Sequence, residues 1–207
     1  MQVGPAEISR DEVTGVILAG GRSSRFGSDK ALALLPGTGV PFIQRICDTL
    51  AGVVVRVMII GRSTAESAPG VEVVPDRLPD QGPAGGLATA LEFATSRIVL
   101  AVSCDQPLLE SRDLGRLIET CQYAAAAVFR SGDRAFHPLP CAIRTGEARV
   151  AVKAGAGAAG RPLRDLIKAL EPVLIDPGSA ADRLVDIDTP ADFAALSSRL
   201  SRERSRE

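Results

Sequence analysis

The sequence predicts an α/β fold, a single three-layer, doubly wound domain on a mainly parallel sheet. Two observations predict it. Short, apolar, β-branched runs alternate along the chain with segments of helical spacing, the pattern of strands buried on both faces between layers of helices. Charged motifs follow directly on three of those runs, where right-handed crossovers collect strand ends on one edge of the sheet.

Taken in order, Val13–Leu18 is a continuous apolar run ending in Gly20-Gly21, suited to a central strand. Phe42–Leu50 has helical spacing at Phe42, Ile43, Ile46 and Leu50. Val53–Ile60 reads as a second strand closed by Gly61, and Val71–Val74 as a short third that delivers Pro75-Asp76. Gly85–Ala94 is a small-residue helix, and Ile98–Val102 a buried strand with Cys104-Asp105 just past its tip. Asp113–Cys121 reads as a helix, and Ala124–Phe129 and Leu139–Ile143 as strands joined through Ser131-Gly132-Asp133. Helices follow over Glu147–Lys153 and Leu163–Leu170, separated by a Gly-Ala stretch, 154–160, that has little to bury and reads as a mobile surface loop. Thr189-Pro190-Ala191-Asp192 is a capping pattern that starts a final helix to about Leu200.

A chain of 207 residues supports one such domain with a sizeable core. The expected boundaries are an N-terminal extension over 1–12, the domain over 13–200 and a frayed tail over 201–207. The formal net charge of −1 leaves no electrostatic footprint for nucleic acid. No apolar run approaches the ~20 residues that span a bilayer, and the first residues lack the apolar segment of an export signal. Cys47, Cys104, Cys121 and Cys141 are scattered and form no C-x-x-C pair. They read as small hydrophobes of a reducing, cytoplasmic protein rather than zinc ligands.

The chemistry is concentrated in one loop, Leu18-Ala19-Gly20-Gly21 followed by Arg22, Arg25 and Lys30. Glycines let backbone N–H groups approach an anion, and the cations add charge, as a nucleoside triphosphate at a strand end requires. It is not a Walker loop, because Ala31 follows Lys30 where a hydroxyl is needed, and Gly20-Gly21 with Gly27 lacks the dinucleotide spacing. Asp76 and Asp105 follow strand-like runs on the same expected edge. Asp105 is the best candidate for Mg²⁺, a hard ion that takes oxygen ligands and keeps several waters.

The motif L-A-G-G-x-S-x-R-F-G-x-D-K resembles the signature loop of nucleotidyltransferases, most closely the molybdenum cofactor guanylyltransferases of bacteria. Pro75-Asp76 with Gly82-Pro83-Ala84-Gly85-Gly86-Leu87, then Ser103-Cys104-Asp105-Gln106-Pro107-Leu108, are similar to that family's next motifs, in order. His137-Pro138 and Asp186-Ile187-Asp188-Thr189-Pro190 resemble its later ones, so the resemblance runs from about Val13 to Leu196. It implies a Rossmann-like nucleotidyltransferase fold and transfer of GMP from GTP to a molybdopterin-type acceptor, with release of pyrophosphate. It also implies delivery of the product to molybdoenzymes or cofactor-delivery proteins. Leu18, Ala19, Gly20, Gly21 and Asp76 would contact the nucleotide. Arg25 and Lys30 would neutralise the phosphates and the leaving group, and Asp105 would hold both nucleotide and metal. His137, Asp186 and Asp188 fall on the acceptor side. Gly20 stands where CTP-using relatives have Ala, which favours the larger guanine.

The chain departs from the family at Ser24, where a second Arg is common, at Gly61, where an Asn is common, and at Asp186 and Asp188, which replace two Asn. Two carboxylates would repel an anionic acceptor phosphate unless a cation or metal intervenes. A CTP-dependent transferase, one acting on a sugar or polyol phosphate, and an inactive nucleotide-binding adaptor are the alternatives.

Overall fold

In a computed structural model of the protein, which describes residues 8–19, 30–61, 68, 70–132, 135–156 and 160–205, strand β1 (Val13–Ala19) lies inside a seven-stranded sheet. It pairs in parallel with β2 (Arg56–Gly61) on one side and β4 (Ile98–Ser103) on the other, and β3 (Glu72–Val74) extends the sheet beyond β2. Beyond β4 come β6 (Ala135–Arg144), β5 (Ala126–Ser131) and β7 (Val173–Ile175), giving the order β3-β2-β1-β4-β6-β5-β7. Only β6 runs against its neighbours among the described strands. This is the mainly parallel, helix-covered sheet that the sequence predicts.

The pleat sends alternate residues of β1 to opposite faces. Val16 and Leu18 pack with Leu87 and Leu91 of α2 (Gly82–Phe93), with Ala148 of α4 (Thr145–Lys153), and with Leu166 and Ile167 of α5 (Leu163–Ala169). Val13 and Ile17 pack with Ile43, Ile46 and Leu50 of α1 (Phe42–Ala51) and with Leu114, Leu117 and Ile118 of α3 (Ser111–Cys121). Gly15 packs tightly here: a Cβ would stand 3.1 Å from Val54 Cγ2 and 3.2 Å from Leu50 Cδ2, so those side chains would have to give slightly. A third, smaller cluster joins Leu35, Phe42, Ile187 and Leu196, with Phe193 packed against it, and seats α6 (Pro190–Arg204).

Several elements differ from the expectation. Helix α2 begins at Gly82 rather than Gly85, because Pro83 falls in its first turn, where a missing N–H costs nothing. Strand β6 begins at Ala135 rather than Leu139: Pro138 and Pro140 interrupt the donor pattern, yet the ladder continues past a bulge to pair Phe136 with Arg130. The three residues of β7 are too few to read as a strand from sequence. Helix α6 runs a turn beyond Leu200, where Arg204 donates to the carbonyls of Gly37 and Pro36 at 3.2 and 3.3 Å. Asp133 and residues 157–159 of the Gly-Ala stretch lie outside the described residues.

Candidate active site

Every parallel strand ends on the same edge of the sheet, and the antiparallel β6 begins there. Lys30 enters this edge from a 3-10 turn, Lys30–Leu32, whose Ala31 is buried in the core below α1. Its Nζ lies 3.1 Å from Asp105 Oδ2 and 2.6 Å from Asp188 Oδ1. Burial works against the ammonium charge, but the Asp188 hydrogen bond and the Asp105 charge outweigh it, so the lysine is held above its ordinary pKa. Residues 158 positions apart in sequence therefore share one proton-rich contact.

Asp105 stands one residue past the end of β4 plus the turn at Cys104, and its backbone carbonyl accepts from Ile187 N at 2.9 Å. That bond draws the 186–188 segment onto the tip of β4. The next residue, Gln106, is 2% exposed and donates through Nε2 to Asp186 Oδ1 at 2.8 Å and to the Leu139 carbonyl at 3.2 Å. Asp105 Oδ1 and Gln106 Oε1 are buried with no hydrogen-bond partner among the described residues. A buried acceptor without a donor is costly, so both oxygens are suited to an incoming ligand. Asp186 is pushed up to about 6, first by the protein packed around its carboxyl and then by the Asp105 charge, although the residue as a whole is exposed.

A second ion pair fixes the approach to this segment. Arg183 donates to Asp113 Oδ1 at 2.7 Å and Oδ2 at 2.8 Å, and Asp113 also caps the start of α3. Burial opposes ionisation of Asp113, but the Arg183 hydrogen bond and the cap outweigh it and hold the carboxyl below its usual range.

Asp76 follows β3, three strands away from β4, or about 14 Å at ordinary strand spacing. Its Oδ1 accepts from Leu78 N at 2.9 Å and from Thr89 Oγ1 at 3.0 Å, tying the loop to α2. Asp76 thus shares the edge but not the Lys30 cluster. Leu18 is buried and Ala19 half-buried at the end of β1. His137 lies near the start of β6, half-buried, its imidazole pushed below the usual range by burial and by Arg164.

Lys30 thus pairs with both Asp105 and Asp188, and Asp186 is bonded beside them by Gln106. Gly20, Gly21 and Arg25 lie outside the described residues. Sequence reasoning gave no role to Gln106, although a glutamine beside Asp105 in an otherwise apolar stretch was the available signal. Thr89, the lone hydroxyl of an Ala- and Leu-rich helix, was a second. Nothing local marked Arg183 and Asp113 as partners 70 residues apart.

Among the described residues no three carboxylate, imidazole or thiol groups gather to hold an ion by themselves. A triphosphate-bound Mg²⁺ needs only one or two carboxylates, and the open Oδ1 of Asp105 fits that demand.

Comparison with known proteins places the chain in a family. The chain is similar to a protein of Deinococcus radiodurans named probable molybdenum cofactor guanylyltransferase, 34% identical over 191 residues, covering 90% of this chain and 95% of that one. It is also 34% identical over 186 residues to the molybdenum cofactor guanylyltransferase of Xanthomonas euvesicatoria, covering 88% and 93%. Among solved structures, molybdopterin-guanine dinucleotide biosynthesis protein A from Archaeoglobus fulgidus superposes with a TM-score of 0.74 over 91% of this chain and 99% of that one, at 16% identity, a likeness of fold. The model of the MobA-like NTP transferase domain matches residues 15–173, most of the sheet and its ligand edge. With most of its length matched by that model and by such relatives, the chain belongs to the MobA-like NTP transferase family.

Proposed function

We propose that the protein transfers GMP from GTP to a molybdopterin-type acceptor and releases pyrophosphate, with Mg²⁺ held through Asp105. The observation that carries this reading is the Lys30–Asp105–Asp188 cluster with its open, buried carboxylate oxygen at the ends of parallel strands. The names of relatives that align over nearly the whole chain supply the nucleotide and the acceptor.

In this reaction an oxygen of the acceptor's phosphate attacks the α-phosphorus of GTP. The bond from that phosphorus to its bridging oxygen breaks, and the pair of electrons leaves with pyrophosphate. Bound Mg²⁺ would neutralise charge on the triphosphate. Lys30, kept protonated by its carboxylate partners, would turn to the phosphates and stabilise the leaving group. Arg25 would add charge from the loop, and Leu18, Ala19, Gly20 and Gly21 would bring backbone to the base. Asp76 would contact the nucleotide at the β3 end of the edge. Asp186, Asp188 and His137 would face the acceptor, with Lys30 as the intervening cation beside Asp188. We place the protein in the cytoplasm, where the buried Cys47, Cys121 and Cys141 would stay thiols. Burial pushes them up to about 11, 12 and 12, which suppresses the reactive thiolate.

The test is acceptor-dependent turnover. Purified protein with GTP, Mg²⁺ and molybdopterin should release pyrophosphate and form a pterin–GMP dinucleotide, with kcat/KM for GTP above that for CTP. Preference for CTP would move the reading to cytidylyl transfer, and pyrophosphate release indifferent to molybdopterin would reject the acceptor.

A further inference from the structure

Helix α5 leads into β7, which runs parallel to β5, so α5 descends from the ligand edge and its first turn lies there. Leu163, Leu166 and Ile167 are buried and fix the helix against the sheet. From that turn Arg164 lays its guanidinium over the ring of Phe136, with the central carbon 4.8 Å from the ring centroid. Two other arginines stack on phenylalanines. Arg77 lies over Phe93 and pairs with Glu92 at 2.7 Å, and Arg116 lies over Phe129 and donates to the Pro177 carbonyl at 2.9 Å. Arg164 has no such oxygen partner among the described residues, so the ring contact leaves its N–H groups open to a ligand.

Its neighbourhood matches a ligand rather than a surface charge. His137 follows Phe136, and burial and the Arg164 charge both push its imidazole toward the neutral form, which offers a hydrogen bond without adding charge. Arg130 stands opposite Phe136 in the ladder, and cross-strand partners share a face. Leu139, three residues or about 10 Å further along β6, is bonded to Gln106 beside Asp105. The carboxylates of Asp105, Asp186 and Asp188 already absorb the charge of Lys30, so an anionic acceptor needs a cation placed elsewhere on this edge.

We propose that Arg164, seated on Phe136 beside His137, is an anion subsite that holds the charged head of the acceptor remote from its reacting phosphate. This rests on the guanylyl-transfer reading and adds a residue to it. On a molybdopterin acceptor the anion is the dithiolene sulfur pair or the oxo-metal group bound to it.

Arg164→Gln and Arg164→Lys should be assayed with molybdenum-free and molybdenum-loaded molybdopterin. The glutamine variant should raise the acceptor KM about 10–100-fold, the effect of losing a charge-assisted contact, while the KM for GTP stays within about twofold. Lysine should recover part of the loss. A larger effect with the loaded form assigns the anion to the oxo-metal group, and an equal effect assigns it to the sulfurs. An unchanged acceptor KM, or acceptor and GTP values rising together, overturns the subsite. Calorimetric binding of molybdopterin in the absence of GTP reads the subsite without turnover. Binding lost in the glutamine variant supports it even if wild type transfers no GMP, a result that would reject the guanylyl-transfer reading alone.

Discussion

Lys30 and Asp105 occupy each other, at 3.1 Å, with Asp188 closing the contact at 2.6 Å. The charges of the two groups are thus neutralised together in this structure. Asp105→Asn keeps the shape and removes the charge. It should lower kcat by at least about 10²-fold with Tm close to wild type, and near-normal kcat with Mg²⁺ would exclude Asp105 from the reaction. Asp186 gives a prediction of opposite character. Its folded carboxyl titrates near 6, above its ordinary value of 3.8. A raised folded pKa means the native state binds more protons than the unfolded chain between those values, so the favourable contribution is complete below about pH 4 and is lost as pH rises through 6. Asp186→Asn, which keeps an acceptor oxygen for Gln106, should therefore be more stable than wild type at pH 7.5 and equal to it near pH 4. Thermal melts at the two pH values check this, and a difference of the same size at both would refute it.

At the scale of elements, helix α2 and the loop before it form one unit. Asp76 accepts from Thr89 of the helix, Arg77 N donates to the same hydroxyl at 3.2 Å, and Gly85 leaves room for the loop to lie against the helix. A Cβ on Gly85 would stand 2.8 Å from the Leu78 carbonyl oxygen and 2.9 Å from Gln81 Cβ. Alanine there gains about 1 kcal/mol of helix propensity but overpacks backbone, at about 1–3 kcal/mol. Gly85→Ala should lower Tm and raise the KM for GTP by displacing Asp76. Gly115, in α3, has nothing within 4 Å of its absent Cβ, so Gly115→Ala should raise Tm or leave it unchanged. Equal behaviour of the two variants would show that propensity, not packing, governs both. The glycines of the 82–86 motif were legible as part of a family resemblance and of a small-residue helix. That Gly85 serves packing was not, because the clash involves a carbonyl placed by the intervening turn.

Across the whole molecule, the small cluster of Leu35, Phe42, Ile187 and Leu196 joins segments distant in sequence beside the candidate site. It binds the segment after Lys30 to the start of α6, and Phe193 packs on it with its ring 6.2 Å from that of Phe42. Phe193→Ala should cost about 2 kcal/mol, less than a fully buried phenylalanine, lowering Tm by about 4–8 °C for a chain of this size. It should also lower kcat/KM for GTP at temperatures where the protein remains folded, because Lys30 and Asp188 lose their common support. Loss of stability with unchanged kcat/KM would separate this cluster from the site.

By itself the sequence determined the layers and the central strands, since β1, β2 and β4 are buried on both faces and must be written as apolar runs. It also placed Asp76 and Asp105 at strand ends, because chain direction and crossover hand put those ends on one edge. Tertiary structure alone decided which charges meet. Asp188 joins Lys30 across 158 residues, Gln106 bridges Asp186 to β6, Arg183 locks Asp113, and Arg164 finds Phe136. Local periodicity encodes which face of an element is buried. It carries no information on side chains that meet only after separate elements and loops come together, and the contacts of Lys30, Asp105, Gln106, Asp186 and Asp188 are of that kind.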